Sequence, residues 1–193
     1  MRAPGHALFG RSSAALWVAV IALLGGPGPL AAGAGVDMFM RTTGPTGVTG
    51  ESTDPTHLGD IEILSYEWSA NLIVTITGPI NASQSTFSDI TVTKRVDKSS
   101  SKLMLQTFTL LPFSTVTLFV RSQGASPLEF LTITLQNVTV SSIRQLATSA
   151  DSATESITLH YDLIKVQYVS LKADGTTGLT NYRTWNIKTQ SGS

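Results

Sequence analysis

The feature that most constrains this fold is the regular alternation of apolar and polar side chains after residue 35. Val116, Leu118 and Val120 occupy even positions of one stretch, and Leu131, Ile133 and Leu135 repeat the same spacing on odd positions. A two-residue period places successive side chains on opposite faces of a β-strand. The chain is therefore predicted to be mainly β.

Interruptions by glycine, proline and polar clusters divide this pattern into segments. The region 81–85 is predicted to be a polar loop, and Asp174-Gly175 is typical of a hairpin turn. Strands are predicted at 36–42, 61–68, 72–77, 90–96, 115–120, 131–140, 157–168 and 182–189.

The apolar positions change parity inside two of the predicted strands. They are odd up to Leu135 and even from Val138, and the same change recurs near Leu163-Ile164. A strand keeps one face buried through such a change only with an extra residue, so bulges are predicted near Gln136-Asn137 and Leu163-Ile164. Long bulged strands curve, which favours a closed β-barrel of mixed or antiparallel strands. A β-sandwich with two covered faces is the alternative.

One segment breaks the β pattern without glycine or proline. Ser99 to Gln106 is predicted to be a short α-helix of about two turns, at roughly 1.5 Å per residue. Ser99 or Ser100 is expected to be the N-cap residue, accepting a backbone N–H bond. Two turns are unstable alone, so the helix should dock on the flank of the barrel through its apolar residues, which are Leu103, Met104 and Leu105.

Composition excludes several classes of function. The 193-residue chain has 13 basic and 13 acidic residues, no cysteine and no long basic run, which disfavours nucleic-acid binding, disulfides and thiolate chemistry. His6, His57 and His160 have no metal-ligand spacing, and no phosphate-binding loop or nucleophile motif is present. We expect no catalytic, cofactor-binding or metal-binding site, and no enzyme activity.

Two tryptophans leave alternatives open. Trp68 and Trp185 lie near the ends of predicted strands. Each has a ring that can stack on a sugar or a base, but at such positions core or interface packing is the more common role.

The first 34 residues differ in composition from the rest. Arg2 and Arg11 precede the apolar run 14–24, and Ala32 and Ala34 form an A-x-A cleavage pattern. This order predicts a signal peptide cut after Ala34, followed by one domain at 35–193, with no stable membrane insertion after cleavage. An uncleaved anchor and a mis-assigned leader with a true start near Val36 are the alternatives.

Six segments in a fixed order resemble the haemolysin-coregulated protein family, Hcp, of type VI secretion systems. They are VDMFM (36–40), GESTDPTHLGDIEILSYEW (50–68), VTKRVDKSSSKLM (92–104), LEFLTITLQNVTVSSI (128–143), ESITLHYDLIKVQY (155–168) and YRTWNIKT (182–189). Each segment is weakly specific alone, and the ordered set is specific. The resemblance covers nearly all of 36–189.

The resemblance implies a β-barrel with one flanking helix that assembles into homohexameric rings, which stack into a secreted tube. Segment 69–88 corresponds to the loop that packs on the neighbouring ring, with Leu72, Val74 and Ile76 as the expected ring-stacking residues. The segment is more apolar than the family's loop, and Ser101 stands where the family commonly has proline. Sheath, spike and effector proteins are the further partners that the family implies.

The leader separates two functions. A tube subunit assembles in the cytoplasm and leaves by type VI secretion, so it needs no signal peptide. A cleaved signal would instead make this chain a periplasmic or secreted Hcp-like binding module that does not polymerise into a cytoplasmic tube.

Overall fold

A computed structural model describes residues 35–75, 82–124, 126–172 and 177–193. These residues form twelve strands and one helix, which confirms a mainly β fold with one short helix. The elements are β1 (Val36–Thr43), β2 (Ile61–Glu62), β3 (Ser65–Glu67), β4 (Ala70–Thr75), β5 (Ala82–Phe87), β6 (Ile90–Arg95), α1 (Ser100–Thr109), β7 (Phe113–Ser122), β8 (Glu129–Thr148), β9 (Asp151–His160), β10 (Leu163–Leu171), β11 (Thr177–Asn186) and β12 (Ser191–Gly192).

Ten of these strands form one sheet in which every pairing is antiparallel. Its main path is β12-β11-β10-β8-β7-β1-β2, and β8 also carries the branch β9-β6-β3. The 20-residue β8 is long enough to pair with β10 through its first half and with β9 through its second half. β8 is thus the strand that joins the two parts of the sheet.

The predicted closed barrel is wrong for the residues that the structure describes, because no sheet closes on itself there. The predicted strand 61–68 is divided into β2, which pairs with β1, and β3, which pairs with β6. Between them the Ile63 N–H donates to the Met38 carbonyl at 3.0 Å and the Leu64 N–H donates to the Thr93 carbonyl at 2.7 Å. The chain changes partner at this point, so residues 61–67 do not form one continuous strand between β1 and β6.

The two predicted parity changes are real, and they lie opposite each other. Leu135 and Val138 are both fully buried on either side of Asn137, which has φ 52°. On the partner strands, His160 pairs with Thr139 and Leu163 pairs with Gln136, so one register continues across the gap. The buried side chains therefore change face at the same level in β8 and in the neighbouring β9–β10 segment, and neither segment has an unmatched residue here. The predicted positions are therefore right, but the description as two separate bulges is wrong.

Strands β4 and β5 form a separate two-stranded sheet. The Ser88 N–H donates to the Ser69 carbonyl at 2.9 Å and closes its base. Residues 82–85, predicted to be loop, belong to β5, whereas the predicted Asp174-Gly175 turn lies outside the described residues. A two-stranded hairpin is marginally stable alone, so this one depends on contacts at its base or with other molecules.

The last long strand, β11, runs from Thr177 to Asn186 and so begins five residues earlier than predicted. It pairs with β10 at Thr177 and from Thr180 to Asn186, but on its other edge only residues 184–186 bond to β12 and Ser193. Within the described part of the chain, residues 177–183 therefore leave one edge of main-chain groups without a strand partner.

The core lies on the shared inner face of the large sheet and beneath α1. Fully burying a Val, Leu or Ile side chain stabilises a fold by about 1.5–3 kcal/mol, so this cluster holds the strands together. Its largest members are Tyr161, Phe113, Met40, Ile61, Ile90, Leu103, Leu118, Ile133, Leu135, Ile157 and Leu159. The ten-residue α1 is too short to cross a bilayer, and no helix in the described ranges is both long and apolar enough to do so.

Candidate functional site

The helix α1 leaves most of its apolar side chains in solvent. Leu103 is fully buried, but the predicted docking residues Met104 and Leu105 are exposed, so that part of the prediction is wrong. Three more large apolar residues are exposed beyond Leu105, and the first of them, Phe108, is 73% exposed. We call the exposed set the helix-end surface; it consists of Met104, Leu105, Phe108, Leu110 and Leu111.

The other end of α1 is capped differently from the prediction. Ser99 occupies the N-cap position, but its side chain makes no capping bond. The Asp97 carboxylate instead accepts the Ser99 N–H at 2.8 Å, and the Ser100 Oγ accepts the Asp97 N–H at 3.1 Å. Asp97 thus forms a local turn with its own side chain, which is typical of aspartate before a helix.

A buried ion pair joins this helix start to the sheet. The Lys94 Nζ lies 2.9 Å from Glu155 Oε1 and 2.7 Å from Asp97 Oδ1, and Lys94 and Glu155 are both fully buried. Glu155 also accepts hydrogen bonds from Ser100 Oγ and Gln145 Nε2, each at 2.8 Å. Each buried charge therefore has an opposite charge and further hydrogen-bond partners, which is what makes burying it tolerable.

The pKa of Asp97 reflects two opposing influences in this network. Burial alone would raise the pKa of its carboxyl, but hydrogen bonds from Lys94 and Ser99 outweigh burial, so the pKa lies below its ordinary value. Asp97 is therefore ionised at neutral pH and attracts Lys94.

A second polar cluster fixes the loop 51–60 on the outer face of β1 and β7. The His57 ring stacks on Phe39, with centroids 4.1 Å apart and planes at 8°, and it tilts against Phe119 at 4.9 Å. The His57 Nδ1 lies 2.9 Å from Asp60 Oδ2, which also binds Arg41 at 2.7 Å. The sequence offered no metal spacing for His57, and its surroundings give it a packing role.

Arg121 extends the same cluster on the other side of Phe39. Its guanidinium lies 4.9 Å from the Phe39 ring centroid and binds the carboxylates of Asp37 and Asp54. The hydrogen bond from Arg121 holds the pKa of Asp54 well below its ordinary range, with help from Thr56. Cations and rings thus alternate across this face and hold the loop in place.

The second exposed apolar surface is a groove at the base of the β4–β5 hairpin. It has a volume of about 480 Å³ and is lined mainly by apolar side chains. Phe87 and Trp185 stack on each other in its lining with ring centroids 5.8 Å apart, and the Trp185 Nε1–H is buried without an acceptor among the described residues. We call this site the tryptophan groove; its lining includes Trp68, Phe87, Ile164, Val166, Arg183 and Trp185.

Two of the three predicted ring-stacking residues, Leu72 and Val74, belong to β4. Leu72 is 61% exposed on β4, and the Val74 backbone pairs with Ser83 of β5. Ile76 lies outside the described residues, as do the predicted cleavage residues Ala32 and Ala34. Leu72 is thus placed where a neighbour could contact it.

Among the residues that the structure describes, no group of three or more His, Cys, Asp or Glu side chains is placed to hold a metal ion. His160 lies 2.9 Å from Asp89, and its side chain is 58% exposed. The two exposed apolar surfaces are the clearest candidates for contact with other molecules.

Comparison with known proteins gives one consistent result. Residues 39–168 match the family described as "Type VI secretion system effector, Hcp". The chain is 33% identical over 159 residues to protein hcp1 of Pseudomonas aeruginosa, an alignment covering 79% of this chain and 96% of that protein.

Solved structures of the same kind have a similar fold. A type six secretion system protein has a TM-score of 0.75 at 26% identity, with 82% of this chain and 100% of that chain covered. Hcp1 from Salmonella typhimurium has a TM-score of 0.66 at 21% identity, with 82% and 99% covered. This second likeness supports the fold alone.

Proposed function

The chain belongs to the Hcp family of type VI secretion proteins, and from that membership we propose that it is a ring-forming subunit of a type VI secretion inner tube. The proposed assembly is a homohexameric ring, and rings stack into a tube that can carry effectors. Sheath and spike proteins are the proposed further partners. In this role ring geometry does the work, and the chain performs no catalytic step.

One observation on this chain carries the proposal: a single copy leaves two separate apolar surfaces uncovered. The helix-end surface has five large exposed side chains, and the tryptophan groove opens elsewhere on the molecule. Soluble monomers rarely expose large contiguous apolar patches, and such patches usually mark contacts with other molecules. Assembly into a ring would cover them.

The oligomeric state tests the ring. The protein purified from its own cells is analysed by size-exclusion chromatography with light scattering, and by electron microscopy. We expect a mass of about six subunits, the family's ring size, and annular particles. A monomer at every concentration would overturn the proposal.

The stacking step has its own test. We propose that Leu72, Val74 and Ile76 contribute to contacts between rings, and the exposure of Leu72 supports this proposal. Val74→Asp would bury an unpaired charge in that contact, so we expect rings that no longer stack. Electron microscopy distinguishes rings from tubes, with Glu67→Asp as a control that changes an exposed side chain outside the hairpin. Tubes formed by Val74→Asp would show that the hairpin is not the stacking element.

A second function follows from the leader. The apolar run 14–24 and the A-x-A pattern at Ala32 and Ala34 favour an exported Hcp-like module that does not build a cytoplasmic tube. The intact mass of the protein from its own cells, with its compartment recorded, separates the two. A chain that starts near Gly35 outside the cytoplasm supports the exported module. A cytoplasmic chain that starts near Val36 supports the tube subunit.

A further inference from the structure

We propose that the helix-end surface of one copy docks into the tryptophan groove of a second copy, and that this contact closes the ring. The inference rests on the proposed ring function and adds the residues that would form the contact. The occupant of the groove is thus a second copy of this chain.

A ring requires two different surfaces on each subunit. In a cyclic assembly with more than two members, every copy uses one surface toward the neighbour on its left and another toward the neighbour on its right. The two surfaces must be complementary, and one copy must not cover both by itself. The helix-end surface and the tryptophan groove are both open in the single chain.

The two surfaces lie on different parts of the sheet. The start of α1 is fixed to β9 and the second half of β8 through Glu155 and Gln145. The groove is lined by Ile164 and Val166 of β10 and Trp185 of β11, beside the first half of β8. The change of face at Asn137 separates these two halves. The surfaces are therefore available to two different neighbours.

Both surfaces are apolar. Phe108 of α1 has 73% of its surface exposed, and Leu110, 72% exposed, follows directly after the helix. The groove offers about 480 Å³ of open space with Trp68, Phe87 and Trp185 in its lining. An aromatic anchor in an apolar pocket is the usual centre of a protein interface.

Their electrostatics match as well. The carbonyls of the last helical turn lack partners within a helix, and together they carry about half a negative charge. No basic side chain lies in the last turn of α1, so this partial charge is not balanced there. The groove contributes the exposed Arg183 cation, which is suited to carbonyl oxygens. The negative helix end would thus meet a cation.

A mixing experiment tests the pairing directly. Phe108→Glu removes the helix-end anchor and leaves the groove intact, whereas Val166→Glu places a charge in the groove and leaves the helix end intact. Each variant alone should be monomeric, because a buried unpaired charge should weaken the contact at least tenfold. An equimolar mixture retains one good contact and should form a dimer that grows no further.

The outcomes are distinguishable by light scattering and by tryptophan fluorescence, which reports on the groove because Trp68 and Trp185 both line it. A mixture that stays monomeric, or single variants that still form rings, would overturn the docking proposal. If the wild type forms rings in the same experiment, the proposed function still stands. Wild type that never forms rings would overturn the proposed function itself. Circular dichroism checks folding, and Arg183→Glu is the milder groove variant if Val166→Glu does not fold.

Discussion

The two ends of α1 are built in opposite ways. At its start, the charged side chains of Lys94 and Glu155 are buried, paired and hydrogen-bonded. At its end, the apolar side chains of Phe108 and Leu110 are exposed. Polar groups inside and apolar groups outside invert the usual distribution of a soluble protein. The first end fixes the helix to its own chain, and the second end leaves surface for another chain.

The largest expected effect comes from breaking the buried pair. Lys94→Met leaves the Glu155 carboxylate buried without its cation, and we expect the free energy of unfolding to fall by about 3–5 kcal/mol. Urea denaturation measures it, with Lys102→Met, an exposed lysine on the same helix, as the matched control. The double variant Lys94→Met with Glu155→Leu should recover part of the loss, because the fully buried Glu155 carboxylate is gone and only Asp97 still lacks its cation. A double variant as unstable as Lys94→Met would contradict this account.

A smaller effect is expected at the helix cap. Asp97→Ala removes the carboxylate that accepts the Ser99 N–H, and we expect a loss of about 1–2 kcal/mol at neutral pH. Because the folded-state pKa of Asp97 is lowered, its contribution is complete above the unfolded-state pKa near 4. That contribution disappears as the pH falls through the folded-state pKa, so wild type and variant should converge in acid. A difference between them that is independent of pH would exclude a role for the Asp97 charge.

The smallest effect on folding is expected at the exposed end. Phe108→Ala should change the free energy of unfolding by less than about 0.5 kcal/mol, measured at a concentration where the copies are separate. Leu103→Ala, five positions earlier on the buried side, should cost about 2–5 kcal/mol. A loss at Phe108 as large as at Leu103 would mean that Phe108 stabilises its own chain, and the contrast between the two ends would fail.

The sequence predicted those parts of the fold that depend on neighbouring residues. Alternating side chains identified most strands. The parity change around Asn137 located the place where the buried side chains move to the other face of the strand. The short helix was also expected, since its segment lacks the two-residue period. These features are local, so a single stretch of sequence contains them.

What the sequence did not predict depends on residues far apart in the chain. The polar run at 82–85 becomes a strand because β4 provides its partner. Lys94 meets Glu155 only after β6 and β9 have paired, and His57 meets Phe119 only after the loop folds back on the sheet. The sequence predicted the position of the helix, but it did not predict which of its apolar residues face the sheet. Three consecutive apolar residues on a helix cannot all point in one direction.

The open edge of β11 has a consequence for the protein before it assembles. Residues 177–183 present main-chain donors and acceptors to any extended chain that arrives, including an unfolded copy of the same protein. In newly made subunits, correct assembly therefore competes kinetically with non-specific pairing at this edge. The yield of soluble protein on refolding should therefore fall as the protein concentration rises. In a cell, a low concentration of unassembled subunits would limit this unwanted pairing.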